Sequence, residues 1–186
     1  MKQVSFRSFL VLAALLFGVP PADAQLNSTE VTASLTAVLP ESLTVTLSAG
    51  AASFSLTSGS ATNAGTPTLT ATTTWTLAVT RTAISLHGYF TTATAALVHT
   101  AAGNTVDIPS SRVEVSVNGG AAAAFDQTVA FGGAAAGRQL FTQAITIPTS
   151  SGTRNDTLAL NINLAGYTLP ADTYTGTLRI RAQGTP

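Results

Sequence analysis

The sequence predicts an all-β protein: a single antiparallel, immunoglobulin-like Greek-key β-sandwich of about ten short strands, preceded by a signal peptide. Three observations predict it. Apolar and hydroxyl side chains alternate with a period of two along most of the chain, which puts one face of each strand in a core and the other in water. Clusters of Gly, Pro and Asn punctuate those runs at short intervals. No stretch carries a convincing helical period; Thr91–Ala102 is Ala-rich but interrupted by Thr.

The first 24 residues are built unlike the rest. Lys2 and Arg7 give a positive start, Phe9–Val19 is an uncharged apolar run of 11 residues, and Pro20–Pro21 ends it. Ala22-Asp23-Ala24 then places small residues where a signal peptidase reads, so cleavage is expected between Ala24 and Gln25. A membrane span needs about 20 apolar residues, and this run is too short. Residues 25–186 are then expected to form one domain, exported to a periplasm, a cell surface or the medium, with no transmembrane span. The chain has no Cys, so its stability has to come from packing.

The strands follow in order. Val31, Ala33, Leu35, Ala37 and Leu39 share one face of a first run, and Leu43, Val45 and Leu47 share one face of a second. Trp75, Leu77 and Val79 point one way while Thr74, Thr76 and Thr80 point the other; Ile84 and Leu86 continue the pattern. Val113, Val115 and Val117 lead into Asn118-Gly119-Gly120, a hairpin turn because Asn and Gly accept positive φ at little cost. Leu158, Leu160, Ile162 and Leu164 alternate with Thr157, Ala159, Asn161 and Asn163, and Leu178 and Ile180 mark the last strand. The Thr-rich stretch Thr66–Thr80 raises the idea of an ice-binding array. The sequence shows no strand-to-strand repeat of that spacing, so ordinary strand preference accounts for it.

One local pattern is more specific. Leu169-Pro170-Ala171-Asp172-Thr173-Tyr174 has the layout of a tyrosine corner, in which the Tyr hydroxyl bonds upstream backbone and pins a crossing loop. Tyr174 therefore reads as a latch, supported by Leu169 and Asp172. Trp75, the single Trp, is in phase with the core residues and reads as the buried ring of the sandwich.

The segment Leu169–Ala182 (LPADTYTGTLRIRA) resembles the closing strand of exported sandwich domains of the spore coat U and archaic pilin type. The resemblance implies an immunoglobulin-like fold whose subunits join by strand exchange. This chain lacks the cysteines such domains usually carry near the mature start. Trp75-Thr76-Leu77 and the Tyr174–Leu178 ending also resemble WxL cell-wall domains, although Arg179 and Ile180 stand where a second Trp motif would be. If subunits exchange strands, Glu30–Leu39 is the donated segment, with Val31, Leu35 and Leu39 filling pockets.

Residues 25–186 carry six arginines, no lysine and seven acids, a net charge of −1. With no basic patch to neutralise phosphates, nucleic acid and strongly anionic membranes are poor partners. The search for chemistry returns little. His87 is expected to face solvent beside Tyr89, and His99 to sit in a loop with no carboxylate spaced to orient it, so a serine triad has no base. Asp107, Glu114 and Asp126 read as solvated turn residues, not as an acid/base pair. Asn155-Asp156-Thr157 is too short a run of oxygen ligands for calcium, and two histidines without Cys do not make a zinc site. Asn27-Ser28-Thr29 and Asn155-Asp156-Thr157 are coincidental glycosylation sequons in a chain that reads as bacterial. No enzyme and no cofactor is expected. The function expected is a structural or adhesive surface protein associating with itself or its neighbours. The alternative is an extracellular polysaccharide or cell-wall binding module.

Overall fold

The computed structural model describes residues 28–133 and 136–186, so the expected cleavage pair Ala24 and Gln25 lies outside the described residues. The chain divides after Val38, and the unit Leu39–Pro186 holds the twelve strands. These are β1 (Ser42–Leu47), β2 (Ser53–Phe54), β3 (Gly65–Thr66), β4 (Leu69–Thr76), β5 (Ala83–Tyr89) and β6 (Leu97–His99). They continue with β7 (Val113–Val117), β8 (Ala123–Ala124), β9 (Arg138–Ala144), β10 (Ser151–Ile162), β11 (Tyr174–Gly176) and β12 (Arg179–Thr185). Two single 3₁₀ turns, Ser110–Arg112 and Ile147–Thr149, are the helical elements among the described residues. No helix among them is long and apolar enough to cross a membrane.

Every ladder between these strands is antiparallel. A five-stranded sheet runs β1–β4–β10–β7–β8, a three-stranded sheet runs β12–β5–β9, and β11–β6 and β2–β3 form two-stranded ribbons. The chain is thus all-β, built of several antiparallel sheets. Side chains from both larger sheets meet in one buried cluster: Leu69, Ala71 and Trp75 from β4, Leu158, Leu160 and Ile162 from β10, Ile84 and Leu86 from β5, Phe141 from β9. Trp75 is only 3% exposed, and its indole Nε1–H donates to the Thr149 carbonyl at 2.9 Å. The hairpin after Val117 uses Asn118 (φ 51°) and Gly119 (φ 75°), with the Gly120 N–H donating to the Val117 carbonyl.

The structure departs from the expected strands in three places. Residues 28–41 carry no strand, and Val31 and Leu35 are 92% and 93% exposed. Alternation assigns side chains to faces but supplies no partner for the backbone, and a strand exists only where a ladder satisfies its N–H and C=O groups. Val79 is exposed because β4 ends at Thr76 and the chain turns, Arg81 N–H donating to the Ala78 carbonyl. β9 carries no clean alternation, since Leu140 and Phe141 are adjacent and both buried. Its ladder with β5 slips at Leu86/His87, and such a bulge breaks the period of two.

Candidate functional site: an apolar groove and its pinned wall

The core of the 39–186 unit opens into a groove of about 630 Å³. Its floor is Leu69 of β4, Val113 of β7 and Leu160 and Ile162 of β10, the inward residues of three neighbouring strands of the large sheet. One wall is the segment Ala49–Leu56 that carries β2, and the other is the stretch Asp172–Leu178 that carries β11. Both walls are short ribbons, not strands of the main ladders. The floor residues are themselves buried, Ile162 completely, and the two-residue and three-residue strands above them leave a channel between the walls.

The second wall is held by a dense polar cluster. The Asp172 carboxylate accepts from Asn104 Nδ2 at 2.7 Å, from Ala101 N–H at 3.0 Å, from Thr100 Oγ1 at 3.1 Å and from Thr173 N–H at 2.6 Å. The Asn104 bond chiefly, helped against desolvation by the Ala101 and Thr173 amides and the Thr100 hydroxyl, holds its carboxyl down to about 2. Tyr174 donates its hydroxyl to the Pro170 carbonyl at 2.9 Å and accepts from Asn104 Nδ2 at 3.2 Å. That bond to backbone four residues upstream is the geometry of a tyrosine corner. Leu169 packs against the core cluster and its N–H donates to Ser58 Oγ, in the turn that follows the opposite wall.

Comparison with family models, with curated proteins and with solved structures finds no match. The site therefore has to be read from its own geometry.

The two histidines are placed otherwise than expected. His99 ends β6, and its Nδ1 lies 2.7 Å from Asp107 Oδ1, the same oxygen that accepts the His99 backbone N–H. A hairpin-like return of eight residues brings the pair together, a spacing that no local motif announces. The backbone N–H of His99, then its ring, lower the Asp107 carboxyl. Tyr167 donates its hydroxyl to the Asp107 carbonyl at 2.9 Å, so the loop is tied at both ends. The pair thus clasps the loop between β6 and Asp107.

His87 does not face open water. Its ring meets Phe131 edge-on at 5.0 Å, its Nδ1 is buried without a partner, and burial lowers its pKa. Tyr89, expected on the same outward patch, is only 9% exposed. The loop that carries Phe131 crosses this face of the small sheet, and no sequence period reveals which loop covers which strand.

The carboxylates do not converge. Glu114 accepts from Asn161 Nδ2 and Asn163 Nδ2, cross-strand neighbours on β10 and just beyond it. Asp126 joins neither Glu114 nor Asp107, and no cluster of three metal-ligating side chains occurs among the described residues. Asp156, in the run too short for a calcium site, is completely buried and takes a forked pair of bonds from Arg154 and a third from Asn118.

Proposed function

We propose that this chain is an exported, non-enzymatic structural subunit with an immunoglobulin-like Greek-key sandwich, and that copies join by strand addition. In this reading residues 30–39 of one copy lie in the groove of the next. One observation carries the proposal: a groove with an apolar floor and mixed walls in the 39–186 unit occurs together with a segment whose alternating apolar residues are almost wholly exposed. Val31, Leu35 and Leu39 fall on one face at spacings of four, as pocket-filling residues of an added strand do. Burying each contributes about 1.5–3 kcal/mol, and main-chain hydrogen bonds to the groove walls would supply register. The resemblance of Leu169–Ala182 to spore coat U and archaic pilin domains points the same way. So do the leader-like first 24 residues, which favour action in a periplasm, on a surface or beyond it.

A polysaccharide-binding module is the poorer reading, because such sites present exposed aromatic rings and Trp75 and Tyr89 are buried. The test is the assembly state of Leu35→Asp against the parent chain, by sedimentation velocity and negative-stain microscopy. Concentration-dependent chains or filaments are expected for the parent and their loss in the variant, with unchanged circular dichroism. A parent that stays monomeric at all concentrations refutes the reading.

A further inference from the structure

The outer face of β1, β4 and β10 carries a two-dimensional array that only the strand register reveals. Four rows run across the three strands: Ser42–Thr76–Ser151, Thr44–Thr74–Thr153, Thr46–Thr72–Asn155 and Ser48–Thr70–Thr157. The ladders holding these rows run without a bulge from Ser42↔Thr76 to Leu47↔Ala71 and from Ser151↔Thr76 to Leu158↔Leu69. Ser48 closes the last row with its backbone and its hydroxyl on Thr70. Rows repeat every second residue, about 6.8 Å along the strands, and columns lie about 4.8 Å apart across them. The spacing thus does repeat from strand to strand, which the linear sequence conceals.

We propose that this face binds ice. All twelve positions are uncharged, eleven bear a hydroxyl and one an amide, and none is aromatic. Charge complementarity decides the occupant: a face with no formal charge matches a neutral lattice of water, whereas a charged side chain would order its own hydration shell. The absence of rings on the face argues against a glycan, which stacks on aromatics. The side chains are also fixed in advance. Thr74 and Thr153 share a hydroxyl–hydroxyl bond of 3.2 Å, and Thr72 donates to Asn155 Oδ1 at 2.8 Å. Thr is stiff at χ1, so little side-chain freedom is lost when a rigid lattice docks. Glu41, the residue before Ser42, is neutralised by Arg81 at one end of the array, and Glu114 of β7, opposite Asn161 beyond the last row, is taken up by Asn161 and Asn163. This face lies opposite the groove floor, and the inference does not depend on strand addition.

The experiment is inhibition of ice recrystallisation by the purified full chain. Thr74→Tyr at the centre of the array and Thr44→Tyr on its edge strand are compared with Thr80→Tyr, which lies in the exposed turn outside it. Small crystals are expected to persist with the parent and Thr80→Tyr, and to coarsen as in buffer with both array variants, circular dichroism being unchanged. The edge-strand variant keeps the test open if the central one does not fold. Coarsening with the parent, equal inhibition by all four proteins, or retention of the parent on an insoluble glycan but not in the ice fraction would each overturn the proposal.

Discussion

At the scale of single residues, the strongest electrostatic constraint is the buried Asp156. A carboxylate with no exposure survives only if its oxygens are saturated by charged or polar donors. Arg154, two residues away on the same inward face of β10, supplies Nε and Nη2 at 2.8–3.0 Å, and Asn118 supplies its amide at 2.7 Å. The guanidinium also lies over the Phe141 ring at 4.6 Å, bridging the large sheet to the small one. Breaking a fully buried pair costs about 3–5 kcal/mol. The Arg154 side chain is 37% exposed, so solvent screening places the loss nearer about 2–3 kcal/mol. Arg154→Ala is expected to lower the urea midpoint accordingly with no change in slope, and Arg154→Met, which keeps the stem on Phe141, to lose less. Equal stability of Arg154→Ala and the parent would show that Asp156 finds its donors elsewhere. The period of two places Asp156 in phase with Leu158 and Leu160, but which donors saturate it, Asn118 of the hairpin among them, depends on the fold.

At the scale of elements, β10 is the strand on which the large sheet depends, since it pairs with β4 over eight residues and with β7 over five. It begins by passing directly over Trp75. A Cβ on Gly152 would sit 2.8 Å from Trp75 Cζ2, and the indole cannot retreat because its N–H is tied to Thr149. Overpacking of this kind costs about 1–3 kcal/mol. Gly152→Ala is expected to lower Tm and to shift Trp75 fluorescence; an unchanged spectrum and Tm would mean the ring has room to move. Much of this architecture was legible in advance. Where alternation spanned a strand buried on one side, as in Val113–Val117 and Leu158–Leu164, the inward residues followed directly, whereas in β1 Leu43 and Val45 turn inward and Leu47 is exposed. Three kinds of feature were not legible. β9 was hidden by a bulge that sets two adjacent apolar residues inward. The run Val31–Leu39 has the right period and no ladder, because period encodes faces and not partners. The threonine rows depend on register between strands up to about 80 residues apart in sequence, which no local pattern carries. The groove was invisible for a related reason: it exists where strands are short, and strand length is set by what pairs with what.

For the whole molecule, the perturbed groups define how stability depends on pH. His87 is held neutral by burial, its pKa lowered from 6.5. The unfolded chain therefore takes up a proton before the folded one, and stability is full above about 6.5 and declines as pH falls through that value. Among the described residues three neighbours flank the ring, Phe131 edge-on and Arg181 and Gln139 as cross-strand partners, and none is a carboxylate. Nothing there compensates a charged imidazolium, and Arg181 opposes it. The carboxylates act lower on the scale. Glu41, bonded first by Arg81 and then by the Ala78 N–H, and Asp172, bonded first by Asn104, are both lowered to about 2. Asp107 is lowered as well. Their stabilisation is present above the unfolded values of 4.5 and 3.8 and is lost as pH falls toward about 2. A two-step profile follows, with one decline just below 6.5 and a second that begins near 4.5. Urea midpoints measured from pH 8 to pH 3 are expected to trace both steps, His87→Gln to remove the upper one alone, and Asp172→Asn to shrink the lower one alone. A profile flat between pH 8 and pH 5 in the parent would mean that the Phe131 loop leaves His87 in water. The cover over the small sheet, which is what distinguishes its outer face from the open threonine face of the large one, would then be absent.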